Sequence, residues 1–227
     1  MSAAAPKPLK MGQPEATAPA PTTAAEFQAA QGASDAQIAD LCAYLDLLTE
    51  WNEKMNLVGP SALAEFWPRH AWDSAQLLRL KPEAKLWADL GAGAGFPGLV
   101  LAILLMETPG AKVHLVESMA KRCRFLSEVV QKLNLPAQIH NARAEDLGIR
   151  VDIVTARACA PLPRLLGYAE PYLKRGATGL FLKGQDVVAE LTEATKYWKF
   201  EAELSVSSSH PDGRVLQVKG LSRVRTV

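Results

Sequence analysis

At 227 residues, with 48% hydrophobic and 22% charged residues, the chain is long enough for one α/β domain plus a small appendage. A net charge of +1 sets up no whole-molecule field, so a nucleic-acid partner would have to be met by local basic clusters. No apolar run reaches the roughly 18 residues that span a bilayer, and the first residues lack a secretory-signal pattern, so a cytoplasmic protein without membrane contact is expected.

Residues 1–32 are rich in Ala, Pro and Thr and show no apolar periodicity, which predicts a flexible tail. From Ser34 the pattern changes. Ser34 to Gln37 can cap a helix, and Ile38, Leu41, Leu45 and Leu48 follow at helical spacing. A second helical stretch is expected over Leu63–Leu80, ending before Lys81-Pro82, so residues 33–82 read as a helical lid. Leu86–Leu90 is an apolar run expected to form a buried strand with one carboxylate, Asp89, near its end. Gly91, Gly93 and Gly95 follow at alternate positions, and Leu99–Met106 then reads as a helix.

Beyond this point strands and helices alternate. Strands are expected over Lys112–Glu117, Ala137–Asn141, Asp152–Ala156 and Thr178–Lys183, with helices over Lys121–Leu133, Leu162–Leu173 and Asp186–Trp198 between or after them. Phe200–Ser207 and Val215–Lys219, joined through Pro211-Asp212-Gly213, read as an antiparallel hairpin. Residues 83–227 are thus predicted to form an α/β domain of Rossmann-like type. Its sheet is expected to be seven-stranded and mostly parallel, closed by the C-terminal hairpin.

The glycine turn carries the first chemical information. A chain passing from strand to helix through glycines brings bare backbone against a ligand, and the helix N-terminus adds free N–H groups with partial positive charge. S-adenosylmethionine, NAD(P) and flavins all use such a turn, and Gly93 to Gly98 even satisfies the dinucleotide pattern G-x-G-x-x-G. Glu117, closing the next strand, can accept both ribose hydroxyls of any of these ligands. Two features favour the methyl donor: small and acidic residues, Ala144 and Glu145, stand past the third strand, and little chain follows the fifth strand to build a separate substrate domain. Cys42, Cys123 and Cys159 are lone, and the four histidines are scattered, so no metal is expected.

Read together, several words resemble a specific family: the bacterial small-subunit (16S) ribosomal RNA guanine-N7 methyltransferases, also called glucose-inhibited division protein B. They are Trp51 to Leu57, Arg69-His70-Ala71-Trp72-Asp73-Ser74, Asp89-Leu90-Gly91 through Phe96-Pro97-Gly98, and Glu117-Ser118 followed by Lys121-Arg122 and Phe125-Leu126. Arg143-Ala144-Glu145, Arg157-Ala158 and Lys183-Gly184 complete the set. The resemblance implies S-adenosyl-L-methionine as cofactor, a methyl group delivered to N7 of one guanine, and 16S ribosomal RNA or the small subunit as partner of a monomeric enzyme.

By position, the resemblance and the glycine turn place cofactor contacts on Asp89, Gly91, Gly93, Gly95, Phe96, Glu117, Ala144, Glu145 and Arg157. Arg157 and Lys183 are expected nearest the chemistry, in positioning roles. Guanine N7 has a lone pair and no proton, so no general base is required, in keeping with the lack of any His–carboxylate or Cys–His motif. His70 and Asp73 share a helical spacing and are expected to bond each other and hold the lid, while Trp51 and Trp72 are expected in the lid core.

Overall fold

The computed structural model describes residues 10–11, 19–59 and 61–224. A two-residue strand, β1 (Lys10–Met11), is followed by α1 (Ala24–Gln31) and α2 (Asp35–Met55), then by a π-helical turn, Phe66–Ala71, that runs into α3 (Trp72–Leu80). The α/β part continues as β2 (Leu86–Leu90), α4 (Gly98–Leu104), β3 (Lys112–Glu117), α5 (Ala120–Lys132), β4 (Ala137–Asn141) and β5 (Ile153–Arg157). It ends with α6 (Leu162–Leu173), β6 (Thr178–Lys183), α7 (Val187–Ala194) and the hairpin β7 (Trp198–Val206) and β8 (Arg214–Arg223).

The strands lie in the order β1-β7-β8-β6-β5-β2-β3-β4. β2 through β6 run parallel, and β8 is antiparallel to both β6 and β7. This is the expected Rossmann-like sheet with its closing hairpin, extended at one edge by β1 pairing parallel to β7. Strand order reverses between β2 and β5, so their carboxyl ends flank the crevice where such sheets bind ligands.

Side-chain alternation splits the core into two layers. On β2, Trp87 faces the layer built with α2, α3, α4 and α5, whereas Ala88 and Leu90 face the layer of α6 and α7. On β6, Leu180 and Leu182 point to the first layer and Phe181 to the second.

The lid departs from its sequence reading in two places. The helix expected to begin at Leu63 starts instead as a π-turn around Pro68, which has no N–H to give to an α-helical ladder. Helix α1 lies within the segment expected to be a tail. Its capping box, Thr23 with Glu26, and its closing Gly32 (φ 69°) supply both ends. One side chain, Phe27, is fully buried and packs on Trp67 and Trp72, with ring centroids at 5.4 and 6.0 Å. Eight residues with a single apolar anchor show no periodicity, and the partners of that anchor are remote in sequence. The rest of the expected tail, apart from residues 10–11 and 19–23, lies outside the described residues.

Phe27→Ala should therefore destabilise the chain by about 3 kcal/mol, the cost of removing a buried aromatic ring. Denaturant unfolding checks this, and an unchanged midpoint would show that α1 contributes nothing to the core.

Candidate functional site

The carboxyl ends of β2, β3 and β5 hold two cavities that meet at Ala158. The first, about 370 Å³, is lined by Gly91, Glu117, Met119, Ala144, Glu145 and Cys159, among others. That volume lies within the range of small-molecule sites, about 300–1,000 Å³. The second, about 630 Å³, lies between the lid and β6, with Arg69, His70, Arg157, Lys183 and Glu190 on its wall.

Glu117 organises the first cavity. It is 4% exposed and receives the backbone N–H of Gly93 (3.1 Å) and of Met119 (2.8 Å), with Arg122 3.6 Å away. Two carboxylate oxygens offer about four lone-pair directions, so capacity for further donors remains. Gly91 (φ 69°) forms the floor, and a Cβ there would stand 2.8 Å from the Cys159 sulfur. Burial and the surrounding carboxylates push the Cys159 thiol up to about 11, so it stays a neutral wall group.

Asp89 does something different. Its Oδ2 accepts the Gly98 N–H at 2.9 Å, tying the end of β2 to the start of α4, while Oδ1 is buried without a partner among the described residues. Gly98 must lack a side chain, because a Cβ would meet Asp89 Oδ2 at 2.7 Å and Leu115 at 2.3 Å. Gly95 (φ 98°) is similarly enclosed by Leu99 and by the Tyr44 hydroxyl, which donates to the Ala94 carbonyl and pins α2 to the loop.

Of the residues expected to contact a cofactor, the structure gathers Gly91, Glu117, Ala144 and Glu145 around the first cavity. Asp89, Gly93, Gly95, Phe96 and Arg157 are not on its wall: the first three close the turn and the last two lie toward the lid. Sequence reasoning missed Ser118, Ala142 and Tyr168, which also line it. Tyr168 comes from α6, and nothing in its local pattern marks it apart from a packing residue.

Arg157 is the hub of the lid side. Its Nη1 donates to His70 Nδ1 (2.7 Å) and approaches the Arg69 carbonyl (3.3 Å) and Asp73 (3.9 Å), and its guanidinium sits 4.9 Å above the Phe96 ring. Because a guanidinium only donates, His70 Nδ1 is an acceptor and the ring proton resides on Nε2, a buried atom without a partner among the described residues. His70 stacks on Phe96 with centroids 4.6 Å apart. Burial, then the charges of Arg157 and Arg69, lower its pKa to about 3, so the ring is neutral.

His70 and Asp73 do not bond each other, contrary to expectation; they meet through Arg157. Asp73 instead accepts from Gln76, Ser207 and Ser209 at 2.8, 3.0 and 2.7 Å, joining the lid to the loop between β7 and β8. Trp72 joins the same loop through Ser208, and Trp51 packs on Phe125 while donating to Glu128. Lys183, 10% exposed, pairs with Glu190 at 2.6 Å and approaches the Ala160 carbonyl at 3.4 Å.

Comparison with known proteins decides the class. Residues 37–216 match the family described as rRNA small subunit methyltransferase G. A ribosomal RNA small subunit methyltransferase G from Caulobacter vibrioides (strain NA1000 / CB15N) is 69% identical over 202 residues, covering 89% of this chain and 94% of the relative. The chain belongs to this family. It is a methyltransferase. A relative of the same name from Bradyrhizobium sp. (strain ORS 278) is 53% identical over 184 residues, covering 79% of this chain and 83% of its own. Among solved structures, an O-methyltransferase from Bacillus cereus in complex with SAH superposes with a TM-score of 0.54 at 16% identity, covering 78% of this chain and 91% of that one. A SAM dependent methyltransferase from Aquifex aeolicus gives 0.53 at 16%, covering 74% and 96%. These two share the fold.

Full burial pushes the Asp89 pKa from 3.8 up to about 7, against the Gly98 hydrogen bond and the Arg157 charge. The folded chain therefore keeps a proton that the unfolded chain releases. The contribution of Asp89 to stability is fullest below about pH 4 and is lost as pH rises toward about 7. Asp89→Asn should flatten this slope by a few kcal/mol relative to the parent. Thermal unfolding of both proteins from pH 5 to pH 8 checks it, and parallel profiles would show that Asp89 is ionised throughout.

Proposed function

We propose that this methyltransferase takes its methyl group from S-adenosyl-L-methionine and places it on N7 of a guanine in 16S ribosomal RNA, working on the RNA or the small subunit as a cytoplasmic monomer. The observation that carries the reading is the pair of cavities meeting at one small residue, Ala158. One holds Glu117 over a glycine floor; the other is walled by arginine, lysine and histidine together with the acids Glu65, Asp73, Glu190 and Asp212.

The first cavity fits the cofactor: a ribose needs a carboxylate with free lone pairs, and Glu117 provides it. The floor at Gly91 stays open only because no Cβ is present. In this reading Glu117 holds the ribose, Ala144 and Glu145 face the adenine, and the turn from Gly91 lies along the methionine half. Residues 33–82 act as the lid and residues 83–227 as the binding domain. When bound, S-adenosylmethionine supplies an electrophilic methyl group on a sulfonium.

The residues of the chain then have a limited task. With both reactants held, the N7 lone pair would form the N–C bond as the C–S bond broke with its electrons returning to sulfur, so positive charge would pass to the base. No proton moves in that step, and the His70 ring is not set to take one: its Nδ1 is occupied by Arg157 and its Nε2 is protonated. Alignment of the two reactants can supply about 7–11 kcal/mol of the barrier. Arg157 and Lys183 contribute by fixing the walls that produce that alignment.

Transfer of a labelled methyl group to 16S RNA or to the small subunit, mapped to N7 of one guanine, is the expected result. Label confined to protein or small molecules would remove the reading. Glu117→Ala should weaken S-adenosylmethionine binding by about 2–3 kcal/mol, roughly a 30- to 150-fold rise in Kd. Calorimetry measures this, and an unaltered Kd would place the ribose elsewhere.

A further inference from the structure

The second cavity contains one charged pair that the reading above leaves without a chemical role. Lys183 Nζ and Glu190 Oε2 lie 2.6 Å apart on its wall, Lys183 at the end of β6 and Glu190 in the first turns of α7. Glu190 Oε2 also accepts the backbone N–H of Leu162 at 2.5 Å, which anchors the carboxylate to the start of α6. Its Oε1 takes no hydrogen bond from the described residues. Lys183 has three N–H donors and two acceptors within reach, Glu190 and the Ala160 carbonyl, so one donor remains. The pair thus presents a donor and an acceptor side by side, held from three elements and facing the cavity.

Other acids on that wall are placed differently. Asp73 takes Gln76, Ser207 and Ser209 on Oδ1, and its Oδ2 is turned to the Arg157 guanidinium at 3.9 Å. Glu65 and Asp212 are exposed, and Asp212 lies 3.9 Å from the His210 ring. Glu190 combines an oxygen that takes no hydrogen bond from the described residues with a position fixed by Lys183 and Leu162.

We propose that Lys183 and Glu190 together read the target base, Lys183 donating to O6 and Glu190 Oε1 accepting from N1–H of guanine. The inference rests on the N7-methylation reading and specifies how that site selects its base. A base turned out of its stack is read on its Watson–Crick edge. Guanine offers an acceptor at O6 beside a donor at N1, matching the pair in order. Adenine and cytosine present the inverse order and would oppose like groups at both positions. Uracil matches the order but has no N7.

This mode also resolves a geometric conflict. An arginine reading guanine in the usual bidentate way would engage O6 and N7 and so mask the nucleophile. Contact at O6 and N1 leaves N7 free. As positive charge builds on the base during transfer, N1–H becomes a stronger donor, so the bond to Glu190 strengthens at the transition state relative to the ground state.

The test uses the full chain and 16S RNA in which the mapped target guanine is replaced by 1-methylguanosine, adenosine or left unmodified. Glu190→Gln should lower kcat/KM on unmodified RNA by about 10- to 100-fold, as expected for losing one charged hydrogen bond. Its affinity for S-adenosylmethionine should match the parent, which shows that the variant is folded. In the parent, 1-methylguanosine should cost a similar factor. In Glu190→Gln it should cost little more, because the same bond is already gone. Additive losses, or full activity of Glu190→Gln on the unmodified RNA, overturn the base-reading role while leaving N7 methylation intact. Failure of the parent to methylate unmodified 16S RNA overturns both.

Discussion

A buried guanidinium imposes the arrangement of this molecule. Arg157 stands at the end of β5 with its side chain largely sealed under the lid, and a charge in that position costs several kcal/mol unless partners surround it. Its partners come from two directions. The π-turn and the start of α3 supply the Arg69 carbonyl, the His70 ring and Asp73, and the glycine turn supplies the face of Phe96. Satisfying one charge therefore seats the lid on the sheet, fixes the tautomer of His70 and brings the lid side of the second cavity against β6.

Two carboxylates close to one another show how differently the same group can be used. Asp89 is sealed and serves to close the turn from β2 into α4. Glu117 faces an opening, and its oxygens hold two backbone N–H groups that stiffen the surrounding turn before any ligand arrives. Preorganisation of this kind lowers the ordering cost of binding.

Much of the sheet was legible because its strands are apolar runs and its turn needs glycines at positive φ, both written locally. That Gly91 and Glu117 would meet at one cavity was legible for the same reason, since both stand at the carboxyl ends of neighbouring strands, β2 and β3. The lid interface was not. Asp73 meets Ser207 and Ser209, and Phe27 meets Trp67 and Trp72, across spans that no local pattern records. Phe96 and Arg157 carried the right family signature, yet their side chains turn to each other and to the lid. Glu190 reads in sequence as an ordinary acid on a helix face, and only the fold brings it beside Lys183.

Ala158 links these observations. It has φ 50°, a left-handed conformation that L-residues with a Cβ adopt at a cost, and it is the residue common to both cavities. A β-branched residue at that φ would deepen the torsional penalty and add atoms to the wall of both cavities at once, while glycine would take the torsion freely. Side-chain bulk and main-chain torsion thus press this one position toward the same narrow choice.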